Sequence, residues 1–234
     1  MAMGDESVQE VTVQLPAHEI VSMSRTMPQL VRVADENTEI INVPLISQKE
    51  SGYVTGCELV SAAMVLRYYN REVTAKNVYE VIAKVSPSNQ EEFLDADPNR
   101  VFIGDPYNSS GFGCYAAPLT DAMNQILQEE YHAINVSGMS LDVIEETYLS
   151  QGTPVVIWAT IRMTEPKEGA QWTLGDGTEF QWPAGEHCLV LVGADEEYYY
   201  FNDPDWEGEV VAYEKSQVEQ RYQQLGRQAI IVSR

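Results

Sequence analysis

Residues 57–69 read CELVSAAMVLRYY. Leu59, Val60, Ala62, Ala63, Met64, Val65 and Leu66 put apolar groups on every side of a helix and leave no polar stripe for water. Such a helix has to be enclosed by other elements rather than laid on a surface. At 234 residues, 44% of them apolar, the chain has the material to do this in one large domain. No apolar stretch approaches the ~18 residues of a membrane span, so the helix reads as a core element and no membrane insertion is expected.

The flanking pattern indicates what encloses it. Upstream, EIINVPL reads as a strand and ISQKESGYVTG as a polar loop. Thr55 and Glu58 have the spacing of a capping box, which makes Cys57 the second residue of the helix. Further helices are predicted at TAKNVYEVIAKV with Thr74 as cap, at PLTDAMNQILQEEY, and at SLDVIEETYLSQ with Ser140 as cap. Residues 86–118 between them read as irregular. The chain then turns to strand: PVVIWATI, a hairpin WTLGDGTEFQW turning at GDG, and two neighbours HCLVLVG and YYYFND joined by ADEE. KSQVEQRYQQL reads as a last helix and QAIIVS as a last strand. Helices first and a mainly antiparallel sheet afterwards is an α+β pattern. Residues 39–234 form the expected domain, and residues 1–38 an N-terminal extension packed on it.

Fourteen basic residues face thirty-six acidic ones, a net charge of −22. That balance repels nucleic acid and anionic lipid; it would attract a basic peptide, but the ordinary reading of such an acid excess is a solvated, soluble surface. The opening MAMGDESVQE has no basic stretch followed by an apolar one, so no signal peptide is read there. The three cysteines, Cys57, Cys114 and Cys188, have no CxxC spacing, and no metal or cofactor is expected. DPDWEGEVVAYE approximates a calcium loop through Asp203, Asp205, Glu207, Gly208 and Glu214. Glu207 and Pro204 depart from that pattern, and a strand stands where a helix should precede it.

Cys57 opens its helix, where the positive end of the dipole and amide N–H groups without intrahelical partners favour a thiolate. A nucleophile also needs a base. Of His18, His132 and His187, the first lies in the extension and the second just past a helix end. His187 opens a strand, where a side chain can face a cleft. A hairpin centred near Asp195 sets Asp203 across from His187 and able to orient its ring, with Asn202 the alternative in a shorter loop. Gln48, in the loop before the helix, can join the Cys57 N–H as donor to an oxyanion. Strand alternation points Cys188 to the opposite face of the sheet from the catalytic one.

Four blocks, NVPLISQKESGYVTGCELVSAAMVLRYY, FIGDPYNSSGFGCYAAPLTDAMN, GTPVVIWATI and EHCLVLVGADEEYYYFNDP, together resemble bacterial cysteine peptidases of the bacteriocin-leader-processing type, in their stand-alone secreted or surface form. The resemblance spans residues 39–234. It implies a papain-like fold, with a central helix carrying Cys57 packed on an antiparallel sheet carrying His187 and Asp203, and Gln48 completing the oxyanion hole. It implies hydrolysis of a peptide or related amide through a thioester, and a place outside the cytoplasm. There is no transporter segment, and TG precedes the cysteine in place of an acidic pair, so leader cleavage is not carried over. Basic or cell-wall-derived peptides remain candidate substrates. The alternatives are a non-catalytic binding module for a peptide or cell-wall fragment, and a cell-wall amidase or transpeptidase. Cys114 and Cys188 lie in two of these blocks, either bridged, as suits an extracytoplasmic protein, or as two separate buried thiols.

Overall fold

The apolar helix is walled in on all sides. In the computed structural model, which describes residues 38–85, 96–109, 111–127, 129–206, 208 and 210–234, helix α1 (Cys57–Tyr68) buries ten consecutive residues from Cys57 to Leu66. It packs against strand β7 (Glu186–Ala194) and helices α2 (Ala75–Val81) and α3 (Ala116–Ile126). Each large apolar side chain so enclosed contributes roughly 1.5–3 kcal/mol of transfer free energy as an upper estimate.

The main sheet is six-stranded and antiparallel. Its order is β3 (His132–Asn135), β10 (Ala229–Ser233), β4 (Val155–Thr160), β7, β8 (Tyr198–Asn202) and β9 (Val211–Glu214). Both faces are covered. Val156, Trp158, Cys188, Val190, Val192, Ile230 and Val232 meet α1 and its neighbours on one side. Val155, Ile157, Leu189, Leu191 and Ile231 meet helices α4 (Leu141–Thr147) and α5 (Lys215–Gln224) on the other. Double coverage explains why β4 and β7 read as continuous apolar runs instead of alternating ones. The chain is thus of mixed helix and antiparallel sheet, the expected α+β class.

Two smaller pairs complete it: the parallel β1 (Lys84–Val85) with β2 (Phe102–Ile103), and the hairpin β5 (Lys167–Thr173) with β6 (Glu179–Ala184). The hairpin carries Trp172 and Trp182 onto Phe112 and Ala96 in a satellite core. Trp172 Nε1 donates to Ala96 O at 2.7 Å, so this tryptophan is structural. Trp158, fully buried, likewise donates to Cys114 O at 2.9 Å.

Local signals place several termini correctly. Ser140 Oγ accepts from the Val143 N–H at the start of α4, and the Thr74 N–H donates to Asn77 Oδ1 at the start of α2. His132 differs from expectation: it opens the edge strand β3 and is exposed. His18 and most of the proposed extension lie outside the described residues.

Candidate active site

Helix α1 begins at Cys57, with Gly56 as N-cap and no side-chain cap. The expected capping box does not form, and Cys57 is first in the helix rather than second. Thr55 Oγ1 instead donates to Asn108 O at 3.0 Å. Glu58 turns inward, is fully buried, and accepts the Cys114 N–H at 2.8 Å. Gly113, with φ +112°, makes room for it, since a Cβ there would collide with Glu58 Oε1. A tertiary donor fifty-six residues away has thus captured the carboxylate that local spacing assigned to the cap.

His187 and Asp203 meet. His187 Nε2 lies 2.7 Å from Asp203 Oδ1, and both residues are 3% exposed. The registration that brings them together differs from a plain hairpin about Asp195. Val190 pairs with Asn202 and Leu191 with Phe201, a bulge follows before Gly193, and the ladder ends at Asn202. Extending that register would set Asp203 opposite Leu189, which makes His187 its diagonal neighbour, still within reach of a long side chain. Asn202 is occupied elsewhere, its Nδ2 donating to Val43 O at 2.8 Å. Asp203 also accepts the Asp205 N–H at 2.9 Å and the Tyr213 hydroxyl at 3.3 Å.

Those contacts set the charge state. Burial pulls the His187 imidazole down, but the charge and hydrogen bond of Asp203, with Asp205 and Glu58 farther off, outweigh it and raise its pKa. Burial likewise lifts Asp203, and His187 with the Asp205 N–H and the Tyr213 hydroxyl outweigh it, so its carboxyl is held below the usual range. With the carboxylate on Nε2, the free ring nitrogen is Nδ1.

Cys57 has other company. Its thiol donates to Glu58 Oε2 at 3.4 Å and lies against the backbone N–H of Cys188, the residue after His187. Among the described residues no hydrogen bond joins Cys57 to His187. Burial first, then the charges of Glu58 and Glu186, push the thiol well above its ordinary pKa. The lowered value expected from the helix terminus is therefore corrected: desolvation and two buried acids hold the thiol's pKa up. Glu58 is itself pushed up to about 7, by burial, and Glu186 well above the carboxylate range, by burial and then by Glu58. Sequence reasoning missed both acids as neighbours of the thiol, although each stands next to a residue it singled out.

Cys188 is also corrected. It packs on the α1 side of the sheet, in the same buried cluster as Cys57, and is fully enclosed. Cys57, Cys114 and Cys188 are all free thiols, so no Cys114–Cys188 bridge is present. In the calcium-like loop, Glu214 pairs with Tyr198 in the sheet while Asp203 is taken by His187. Glu207 lies outside the described residues.

Gln48 is buried next to this centre. Its backbone N–H donates to Pro204 O at 2.8 Å, tying its loop to the residue after Asp203. Its Nε2 donates to Val54 O at 3.0 Å and keeps a second hydrogen, while Oε1 has no partner.

A central helix opened by a cysteine, packed on an antiparallel sheet that carries a His–Asp pair, is the layout of the papain-like α+β class. Residues 40–230 match the model of the Peptidase C39-like family. The chain belongs to that family, whose name points to a function of the cysteine-peptidase type. Over 181 residues it is 30% identical to YvpB, an uncharacterized protein of Bacillus subtilis (strain 168), covering 76% of this chain and 69% of that one. A crystal structure from Bacillus anthracis, provisionally described as a C39-like peptidase, superposes with a TM-score of 0.75 at 30% identity, covering 85% of this chain and 98% of the other.

Proposed function

We propose that this protein is a cysteine peptidase that hydrolyses a peptide or related amide bond through a thioester on Cys57. The observation that carries this is the buried His187–Asp203 pair at 2.7 Å, its histidine on the strand β7 that packs against the helix opened by Cys57. In the resting arrangement the thiol faces Glu58, and unliganded catalytic contacts commonly tighten only with substrate bound.

On engagement the thiol turns to His187 Nδ1, which takes its proton while sulfur attacks the carbonyl carbon. Asp203 holds the ring through Nε2 and stabilises the imidazolium. The oxyanion accepts from the Cys57 N–H, in the first helical turn, and from the spare Nε2 hydrogen of Gln48. Collapse expels the amine, protonated by His187, and leaves a thioester. Water then gives a proton to His187 and attacks the thioester, and His187 returns that proton to sulfur as the acid leaves. The −22 charge favours basic peptides, cell-wall-derived ones included, as substrates. Digestion of a peptide library by the protein and by Cys57→Ala tests the mechanism and finds the substrate together. Cleavage is expected only with Cys57 present, and its persistence in Cys57→Ala would refute the thioester route.

A further inference from the structure

The strand-opening Glu186 takes no part in that mechanism, yet it is only 9% exposed and its Oε1 has no hydrogen-bond partner. It shares a pocket of space with the nucleophile. Single ligand-type atoms of Cys57, Glu58 and Glu186 all lie within 4.8 Å of one another, so one point sits no more than about 2.8 Å from each. Zinc takes thiolate at ~2.3 Å and carboxylate oxygen at ~2.0–2.2 Å, so rotations that draw each atom in by roughly half an ångström close the set. The separation of 3.4 Å between Cys57 Sγ and Glu58 Oε2 already suits two ligands of one tetrahedral ion.

Charge points the same way. Among the described residues neither Glu58 nor Glu186 has an ion-pair partner, and the nearby imidazole is committed to Asp203. Buried acids without a cation must hold protons or acquire a cation.

We propose that Cys57, Glu58 and Glu186 form a zinc site whose occupancy masks the nucleophile and reversibly switches the protein off. Zn²⁺ replaces the thiol proton and any carboxyl proton, which leave to solvent as the S–Zn and O–Zn bonds form, and water fills the fourth position. The thiolate selects a borderline metal over Mg²⁺ or Ca²⁺. The binding stands on this geometry alone, and only its inhibitory consequence rests on the peptidase function proposed above.

The test titrates Co²⁺ into metal-free full-length protein and follows thiolate-to-cobalt charge-transfer absorption, then displaces it with Zn²⁺. One equivalent is expected to saturate the band. Cys57→Ser should abolish it, and Glu186→Gln should weaken Zn²⁺ at least about tenfold. Zn²⁺ should slow iodoacetamide labelling of Cys57 and any peptide cleavage, with EDTA restoring both. Absence of the band, its full retention in Cys57→Ser, or Zn²⁺ affinity in Glu186→Gln within about twofold of the parent overturns the site. Should Glu186→Gln not fold, Cys57→Ser, a one-atom change, decides the matter. A cobalt band without peptide cleavage would sink the peptidase function and leave the metal site, whereas cleavage indifferent to bound zinc would overturn the masking and leave the peptidase function.

Discussion

The site contains two buried groups of acids that lie side by side and are treated oppositely. Asp203 is compensated on every side, by His187 at 2.7 Å, the Asp205 N–H and the Tyr213 hydroxyl, so it stays ionised in a dry setting. Glu58 has backbone donors and a thiol but no cation, Glu186 Oε1 has no partner, and burial makes both hold their protons to unusually high pH. Burial alone therefore does not set charge; the supply of donors does. In consequence the base half of the proposed machinery is oriented at rest by an ionised carboxylate, while the nucleophile half is held neutral.

The largest effect is expected from breaking the compensated group. Asp203→Ala leaves His187 without its orienting partner and should lower peptide cleavage by roughly 10²–10⁴-fold, read as kcat/KM on a substrate from the library. Asp203→Asn keeps an acceptor for Nε2–H and should recover most of that loss. Equal losses in the two variants would mean that orientation is not what Asp203 supplies. Gln48→Ala tests the oxyanion donor, with a fall of about 10²-fold expected, mainly in kcat; a change confined to KM would remove Gln48 from that role.

Stability against pH sharpens the same contrast in metal-free protein. Glu58 moves from an ordinary 4.5 to about 7 on folding. Below pH 4.5 it is protonated folded or unfolded, and its stabilising contribution is fully present. Between 4.5 and about 7 the unfolded chain ionises while the folded one does not, so that contribution is lost as pH rises through about 7. Glu186 and His187, both raised, act in the same direction, each being lost as pH climbs through its folded value. Asp203, lowered, contributes above its ordinary 3.8 and loses that contribution as pH falls through its folded value. The Glu58 shift alone corresponds to about 3 kcal/mol, or roughly 6–12 °C in Tm across that window. Glu58→Gln should flatten the slope, measured by thermal unfolding from pH 4.5 to 8.

The same contrast marks what was legible in the sequence. Ser140, Thr74, the GDG turn and the apolar runs of β4 and β7 announce their elements because those signals act within a few residues. The partnership of His187 with Asp203 was also legible, though through the wrong register. Past the bulge after Leu191 the ladder runs two residues off the expected pairing, and the diagonal reach of the side chains recovers the contact. Glu58 was misread because T-x-x-E spacing is identical whether the carboxylate turns back to the cap or inward, and the deciding donor, the Cys114 N–H, lies on a distant segment. The side of the sheet that Cys188 faces was missed for a related reason. Alternation says only that Cys188 opposes His187, not which of two covered faces holds the helix. β9 and β3 went unseen because edge strands are specified by partners more than by their own composition.

The smallest expected effect bears most directly on the uncompensated group. Glu58 contributes to the raised thiol pKa through its negative charge, second only to burial, and it carries that charge only above about pH 7. Glu58→Gln keeps the acceptor for the Cys114 N–H and removes the charge. In metal-free protein the variant's Cys57 should then react with iodoacetamide about tenfold faster than the parent's near pH 8, for a drop of about one pKa unit. The advantage should shrink towards pH 6, where Glu58 in the parent protein is itself neutral. A rate gain that is constant across this range would assign the effect to a change in packing or access. No gain at any pH would mean that burial alone keeps the thiol protonated, and the contrast between the two acid groups would then have no bearing on the nucleophile.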